Sequence, residues 1–128
     1  AESAGEPPTE RCGIDSVEIA RIARLIDETP QDDLRKLFSA IELDEAGQGP
    51  GRAASLAARF AAKEAFQKCW PKALGWREVW VESESKRPLL HFAEALGDQM
   101  KQDGLYAHLS LSHEHAYALA VVVLEQRT

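Results

Sequence analysis

The chain has 128 residues, of which 45% are hydrophobic and 28% are charged, and its net charge is −6 at pH 7. This length fits one domain with a small core. The negative charge argues against nucleic acid as the main partner. No apolar run approaches the ~20 residues that a membrane-spanning helix needs, so we expect no membrane as a partner.

The N-terminus and the cysteines bear on domain limits and location. Residues 1–10 are rich in Glu, Pro and Ser, which predicts a disordered leader or a linker remnant before a domain over residues 11–128. The N-terminus lacks the basic-then-apolar pattern of a secretory signal. Cys12 and Cys69 have no metal-site spacing. They could form a single disulfide, but nothing indicates secretion, so free thiols in a cytoplasmic protein are the plainer interpretation.

The first part of the chain shows helical patterns. A short apolar segment ends at Ile14, after which Asp15 or Ser16 is expected to cap a helix. The apolar face of this helix recurs at helical spacing at Ile19, Ile22, Ala23 and Ile26. Pro30 marks its end, and a second helical piece is predicted over residues 32–38.

The longest predicted helix covers residues 52–70 and ends before Pro71. A short helix before it is indicated by the capping-box pair Ser39 and Glu42. The long helix carries seven alanines within residues 53–65, and such small side chains allow a neighbouring element to approach closely. We therefore expect this helix at the centre of the fold.

The second part of the chain is rich in strand patterns. Strands are predicted over residues 79–81, 89–90, 106–112 and 117–124, and a helix over 92–101. A polar turn at 83–88 joins the first two strands, and the apolar run 119–124 predicts a strand buried on both faces. Helices followed by strands predict an α+β domain, with the long helix packed on a small, mainly antiparallel sheet.

Charged side chains interrupt the otherwise small and apolar central helix. Arg59 and Lys63 lie four residues apart, so two positive charges share one stripe, and a bound anion would explain this arrangement better than solvent does. Glu64 and Lys68 lie on the next stripe, where Lys68 is either a simple salt-bridge partner or a ligand contact. A buried charge is costly unless it is paired or bound to a metal.

Two further positions could carry chemistry. Asp15 is either a helix cap or, with Glu64, a ligand of Mg²⁺, which binds one or two carboxylates plus substrate phosphates. Ser112 and His113 lie in a polar segment between two apolar strands. That segment is either an ordinary hairpin turn or a phosphate contact. The exposed pair Arg21 and Arg24 is a solvated helix face by default, or a docking surface for an acidic partner.

Three segments carry a family resemblance. They are Gly13-Ile14-Asp15-Ser16-Val17-Glu18-Ile19, Arg59-Phe60-Ala61-Ala62-Lys63-Glu64-Ala65 and Ser110-Leu111-Ser112-His113. In this order they resemble the holo-acyl-carrier-protein synthase family of 4′-phosphopantetheinyl transferases, over about residues 11–126. The resemblance implies transfer of 4′-phosphopantetheine from coenzyme A to a serine of an acyl or peptidyl carrier protein, with release of adenosine 3′,5′-bisphosphate. Fatty acid and polyketide biosynthesis are the pathways it suggests.

The resemblance also implies roles for individual residues. Asp15 and Glu64 would bind Mg²⁺, and Glu64 would accept the serine proton. Lys63 or Lys68 would stabilise the leaving group, so Asp15, Lys63 and Glu64 are the expected catalytic residues. The coenzyme A phosphates would meet a set of polar side chains, namely Arg59, Lys63, Lys68, Ser112 and His113. Arg21 would lie near the carrier docking surface. If the carrier is acidic, the exposed face of the first helix adds Arg24 as a docking group, with Arg35 and Lys36 as further additions. The family implies a homotrimer with active sites between neighbouring subunits.

The chain departs from the family pattern at several places. The loop at residues 70–76 is shorter and stiffer than the family's Gly-Thr-Gly loop, Lys86 replaces a glycine, and Ser16 replaces an aliphatic residue. The altered loop motivates an alternative, a non-catalytic domain that binds coenzyme A or a carrier. Against it stand the intact residues Asp15, Lys63, Glu64 and His113. A third hypothesis, a structural module that binds no metal, is the least favoured of the three.

Overall fold

The structure, a computed structural model, describes residues 10–127. Its elements are β1 (Glu10–Glu18), α1 (Ile19–Glu28), α2 (Gln31–Leu34), α3 (Ala40–Ala46), α4 (Arg52–Cys69), β2 (Val79–Glu84), β3 (Arg87–Phe92), α5 (Glu94–Gln102), β4 (Leu105–His113) and β5 (Tyr117–Gln126). The predicted leader lies outside the described residues except for Glu10, which begins β1. No helix within residues 10–127 is long and apolar enough to cross a membrane.

The strands form two antiparallel sheets, as the α+β class predicts. One sheet has the order β1-β5-β4, and β2 and β3 form a separate hairpin. The turn between β2 and β3 places Ser85 and Lys86 at φ values of 52° and 67°. This is the left-handed region that favours glycine, so Lys86 stands in a strained position where the family has glycine.

Helix α4 covers the inner face of the three-stranded sheet. Eleven of its eighteen residues are buried, and five of these are alanines that let the sheet approach. On β5 the inner-face residues Ala118, Ala120, Val122 and Leu124 are buried, whereas Leu119, Val121 and Val123 on the outer face are only partly buried. The prediction that this strand is buried on both faces is therefore wrong for the single chain, because α4 covers only one face.

The start of α1 is a second correction. Asp15 and Ser16 cap no helix, because β1 continues to Glu18 and pairs residue by residue with β5. Val17 is 2% exposed and faces the core, because side chains alternate between the two faces of a strand. The strand pairing therefore outweighs the local preference for a helix cap. The carboxylate of Asp15 is consequently free for another role. The capping box of Ser39 and Glu42 at α3 is confirmed.

Smaller differences concern element limits. Helix α4 ends one residue before the predicted limit, and the second helical piece shortens to α2. Phe92 belongs to β3 instead of the following helix, because it pairs with Val79.

The closest contact between α4 and the sheet is at Gly13. A Cβ atom built on Gly13 would overlap the carbonyl oxygen of Ala65 and lie 3.0 Å from Cys69 Sγ. The first of these neighbours is backbone and cannot move aside without shifting α4. The absent side chain at Gly13 therefore sets the distance between β1 and the helix.

We expect Gly13→Ala to lower the free energy of unfolding by about 3 kcal/mol, because it overpacks a contact with main-chain atoms. Urea denaturation followed by circular dichroism measures the change. Gly49→Ala is the matched control, since a Cβ at Gly49 meets no atom within 4 Å. Equal stability of the two variants would contradict the close contact.

Candidate active site

Two carboxylates and one ammonium meet where β1 crosses α4. Lys68 Nζ donates to Asp15 Oδ1 at 3.2 Å and to the carbonyl oxygen of Ile14 at 2.7 Å. Glu64 lies one helical turn before Lys68 and faces the same strand. The side chains predicted from separate segments, Asp15, Glu64 and Lys68, therefore lie together.

The carboxylate pair has the properties of a cation site. Burial raises the pKa of Glu64, the neighbouring carboxyl group of Asp15 raises it further, and Arg21 and Lys68 oppose the shift. Asp15 Oδ2 is buried and accepts no hydrogen bond from any residue that the structure describes. A hard divalent cation such as Mg²⁺ would satisfy this oxygen and relieve the repulsion between the carboxylates. The residues present thus fit a magnesium ion.

A cleft of about 330 Å³ opens beside this pair. Glu64 and Lys68 lie on one side, and the loop after α4 supplies an apolar wall that includes Leu74 and Trp76. Trp76 stacks on Phe60 of α4 with ring centroids 4.9 Å apart. The cleft therefore has a charged side and an uncharged side.

Arg59 and Lys63 are scaffold residues in this structure. Lys63 Nζ forms an ion pair with Glu42 at 3.0 Å and also donates to the carbonyl oxygens of Trp76 and Val79. Burial lowers the pKa of Lys63, while Glu42 favours its charged form. These three partners use the three ammonium hydrogens, so the predicted phosphate contact of Lys63 finds no free donor.

The two positive charges on one stripe do not need a bound anion. Arg59 pairs with Glu45 at 3.1 Å and donates to the carbonyl oxygen of Val81 at 2.9 Å. Glu45 lies one turn after Glu42 on α3, so that helix supplies one carboxylate to each cation. The interpretation that an anion explains the stripe is therefore wrong.

Glu42 is the functional residue that sequence reasoning missed. It is fully buried, and its carboxylate also accepts hydrogen bonds from the main-chain N–H groups of Ser39 and Val81. The sequence pattern indicated Glu42 only as part of a helix cap, and it did not indicate the distant partner Lys63. The i, i+3 spacing of Glu42 and Glu45, matched to two cations on the next helix, was the available clue.

A second groove, of about 300 Å³, holds the remaining predicted residues. It is lined by Arg59, Ser112 and His113 together with two more hydroxyl side chains, Ser55 and Ser83. β5 separates β4 from β1, so His113 lies two strands, about 10 Å, from the strand of Asp15. Within one chain, the structure does not bring Ser112 and His113 to the carboxylate pair.

The predicted docking residues lie at the surface. Arg21 is exposed on α1, with its guanidinium 5.8 Å from the centre of the Phe60 ring, and it acts electrostatically on Glu64. Arg24 lies 4.0 Å from Glu18. Arg35 and Lys36 form exposed ion pairs with Asp32 and Asp33 and lie away from the cleft lining.

Comparison with known proteins gives consistent matches along the chain. The family model described as the 4′-phosphopantetheinyl transferase superfamily matches residues 11–122. A holo-acyl-carrier-protein synthase of Thermus thermophilus is 56% identical over 115 residues, which cover 90% of this chain and 92% of that protein. One of Deinococcus deserti is 48% identical over 124 residues, covering 90% of this chain and 96% of the relative.

Solved structures share the fold. A holo-acyl-carrier-protein synthase from Neisseria meningitidis superposes with a TM-score of 0.79 at 30% identity, covering 91% of this chain and 98% of the other. A structure from Chronobacterium ammoniagenes, described as an ACPS-CoA complex, gives a TM-score of 0.76 at 28% identity, covering 94% and 100% of the two chains.

We expect Glu42→Gln to lower the free energy of unfolding by about 3–5 kcal/mol, because it leaves the buried ammonium of Lys63 without a counter-charge. Urea denaturation measures the loss. Glu45→Gln is the control on the same helix, and we expect a loss of about 1 kcal/mol because its carboxylate is partly exposed to water. Equal losses of unfolding free energy in the two variants would contradict the conclusion that the buried pair of Glu42 and Lys63 stabilises the fold more than the pair of Glu45 and Arg59.

Proposed function

The chain belongs to the 4′-phosphopantetheinyl transferase superfamily, and from this premise we propose how its site works. The chain transfers 4′-phosphopantetheine from coenzyme A to a serine hydroxyl of an acyl or peptidyl carrier protein. The observation that carries the mechanism is the carboxylate pair Asp15 and Glu64, with its unpartnered buried oxygen, beside Lys68 at a cleft.

Asp15 and Glu64 are the residues that would hold Mg²⁺. Two carboxylates together with substrate phosphate oxygens are a usual ligand set for this ion. When bound, the ion supplies charge neutralisation at the pyrophosphate of coenzyme A. The ammonium of Lys68 lies beside the same carboxylates and adds a positive charge for the leaving group.

The reaction replaces the phosphoanhydride bond of coenzyme A with a phosphodiester bond to the serine. The serine oxygen bonds to the phosphorus that carries the pantetheine arm, and the bond from that phosphorus to the bridging oxygen breaks. Adenosine 3′,5′-bisphosphate leaves with the bridging oxygen. The serine proton passes to the carboxylate of Glu64, directly or through a water. Lys63 is assigned to the scaffold because its hydrogens are already used.

The complete site is proposed to form between subunits of a homotrimer. Support comes from the outer face of the three-stranded sheet, where Ile14 is 56% exposed and Tyr117 is 46% exposed. An apolar sheet face of this kind is typical of an interface. The groove of Ser112 and His113 would then meet the carboxylate pair of a neighbour, and its imidazole and hydroxyl groups suit a phosphate.

The carrier protein is proposed to dock at α1. Arg21 and Arg24 are exposed, and Arg21 lies close enough to the site to affect Glu64. Acyl carrier proteins are acidic, so basic side chains beside the cleft would orient the serine toward the carboxylate pair. The cytoplasmic location and the choice between fatty acid and polyketide pathways stay predictions.

We expect Glu64→Gln to fold normally and to lose at least about 100-fold in transfer rate, the usual contribution of a positioned proton acceptor. Intact-mass spectrometry of apo carrier proteins incubated with coenzyme A and Mg²⁺ measures the transfer. Magnesium should also raise the melting temperature of the unmodified chain by about 3 °C, through binding to the folded state, and should leave Glu64→Gln unmoved.

The controls separate the metal from the fold. Glu28→Gln removes an exposed carboxylate at the end of α1 and should keep both activity and the magnesium response. EDTA should abolish the mass gain. Near-normal turnover in Glu64→Gln would overturn its assignment. Binding of coenzyme A without transfer to any carrier would favour the non-catalytic alternative.

We expect the variants Glu64→Gln and His113→Ala, each inactive alone, to regain activity when co-expressed in one assembly. A shared site needs one intact half from each of two subunits, so random mixing should restore about a quarter of full activity. Light scattering checks the trimer. The absence of any recovery in a verified mixed trimer would place both residues in the site of one subunit.

A further inference from the structure

The loop after α4, residues 70–78, is held by side chains of α4. Within the described chain, the main-chain groups of residues 71–74 form no hydrogen bond with another main-chain group. Gln67 takes that place. Its amide Nε2 donates to the carbonyl oxygen of Lys72 at 2.8 Å, and its Oε1 accepts from the main-chain N–H of Leu74 at 2.9 Å. One amide side chain thus uses a donor and an acceptor on the same short segment.

The rest of the loop is fixed by the same side of the helix. Lys63 Nζ donates to the carbonyl oxygen of Trp76 at 2.8 Å, and the Trp76 ring stacks on Phe60. Phe60, Lys63 and Gln67 follow the i, i+3, i+7 spacing of one helical stripe. The loop therefore runs back along α4. Among the three α4 side chains that contact the loop, Gln67 is the one next to Lys68 in the chain.

This fastening sets the uncharged wall of the cleft. Leu74 and Gln67 line the same cleft as Glu64 and Lys68, and the main-chain N–H of Leu74 donates directly to Gln67. Leu74 also lines a larger cavity, of about 620 Å³, on the other side of the loop. If the loop moved into that space, the cleft would widen beside the carboxylate pair. Gln67 is the contact that opposes this movement at Leu74.

We infer that Gln67 is a positioning residue that holds Leu74 as the wall against the pantetheine arm of coenzyme A. This inference rests on the proposed function. Pantetheine is an uncharged chain with a dimethyl group and two amides, which suits the apolar wall. The charged nucleotide end suits the groove of Ser112 and His113 instead. Gln67 thereby determines affinity for the arm without touching the reacting atoms.

The test compares two ligands that differ by the arm. Calorimetry measures the Kd of coenzyme A and of adenosine 3′,5′-bisphosphate for Gln67→Leu. We expect the Kd and KM of coenzyme A to rise about tenfold, with kcat within about twofold, because the wall binds substrate and transition state equally. The Kd of adenosine 3′,5′-bisphosphate should be unchanged, since this ligand lacks the arm.

The mechanism through Leu74 has its own test. Leu74→Ala should weaken coenzyme A binding to a similar extent, and the double variant should be no weaker than either single variant, because both remove the same wall. Gln102→Leu is the control, an exposed glutamine at the end of α5. Additive losses from Gln67→Leu and Leu74→Ala would overturn the coupling.

The remaining outcomes are decisive as well. An unchanged Kd for coenzyme A in Gln67→Leu, in a chain that still transfers phosphopantetheine, would overturn the inference and leave the proposed function intact. Equal weakening of both ligands with a lower melting temperature would show a merely structural role. Absence of transfer by the unmodified chain would instead overturn the proposed function.

Discussion

The close approach of β1 to α4 at Gly13 and Ala65 is the constraint on which the rest of the site depends. A strand that lay one side chain further from the helix would separate Asp15 from Glu64 and Lys68. The small residues of α4 permit the approach, and the pairing of β1 with β5 fixes which side chains of β1 face the helix. The carboxylate pair is thus a product of sheet register and helix packing together.

The other side of α4 is anchored by charge instead of by close packing. Glu42 and Glu45 on α3 neutralise Lys63 and Arg59 inside the protein, and the same groups hold the main chain of β2. Buried ion pairs contribute little net stability, but an unpaired buried charge is costly, so the arrangement excludes other registers between these elements. Lys63 and Glu64 are neighbours in the chain and both line the cleft, yet the ammonium of Lys63 is held by Glu42 and two main-chain carbonyls.

Division of the candidate site into two grooves follows from the order of the strands. β5 stands between β1 and β4, so the ends that carry Asp15 and His113 cannot meet within one chain. Pairing the two grooves across a symmetric interface would let a chain of this size surround a substrate as long as coenzyme A. The exposed apolar face of the sheet and the division of the site then have one common explanation.

The sequence by itself determined the α+β class, the capping box at α3, the first residue of α4 and its last residue to within one position. It also placed Asp15, Glu64 and Lys68 in recognisable motifs. All of these depend on local periodicity and residue type. Tertiary structure alone decided that Asp15 lies in a strand, since pairing with β5 overrides a local cap. It also decided the partners of Lys63 and Arg59, because no local pattern in the segment that joins α3 to α4 specifies how the two helices pack. The wall formed by Leu74 depends likewise on contacts between residues that no local pattern connects.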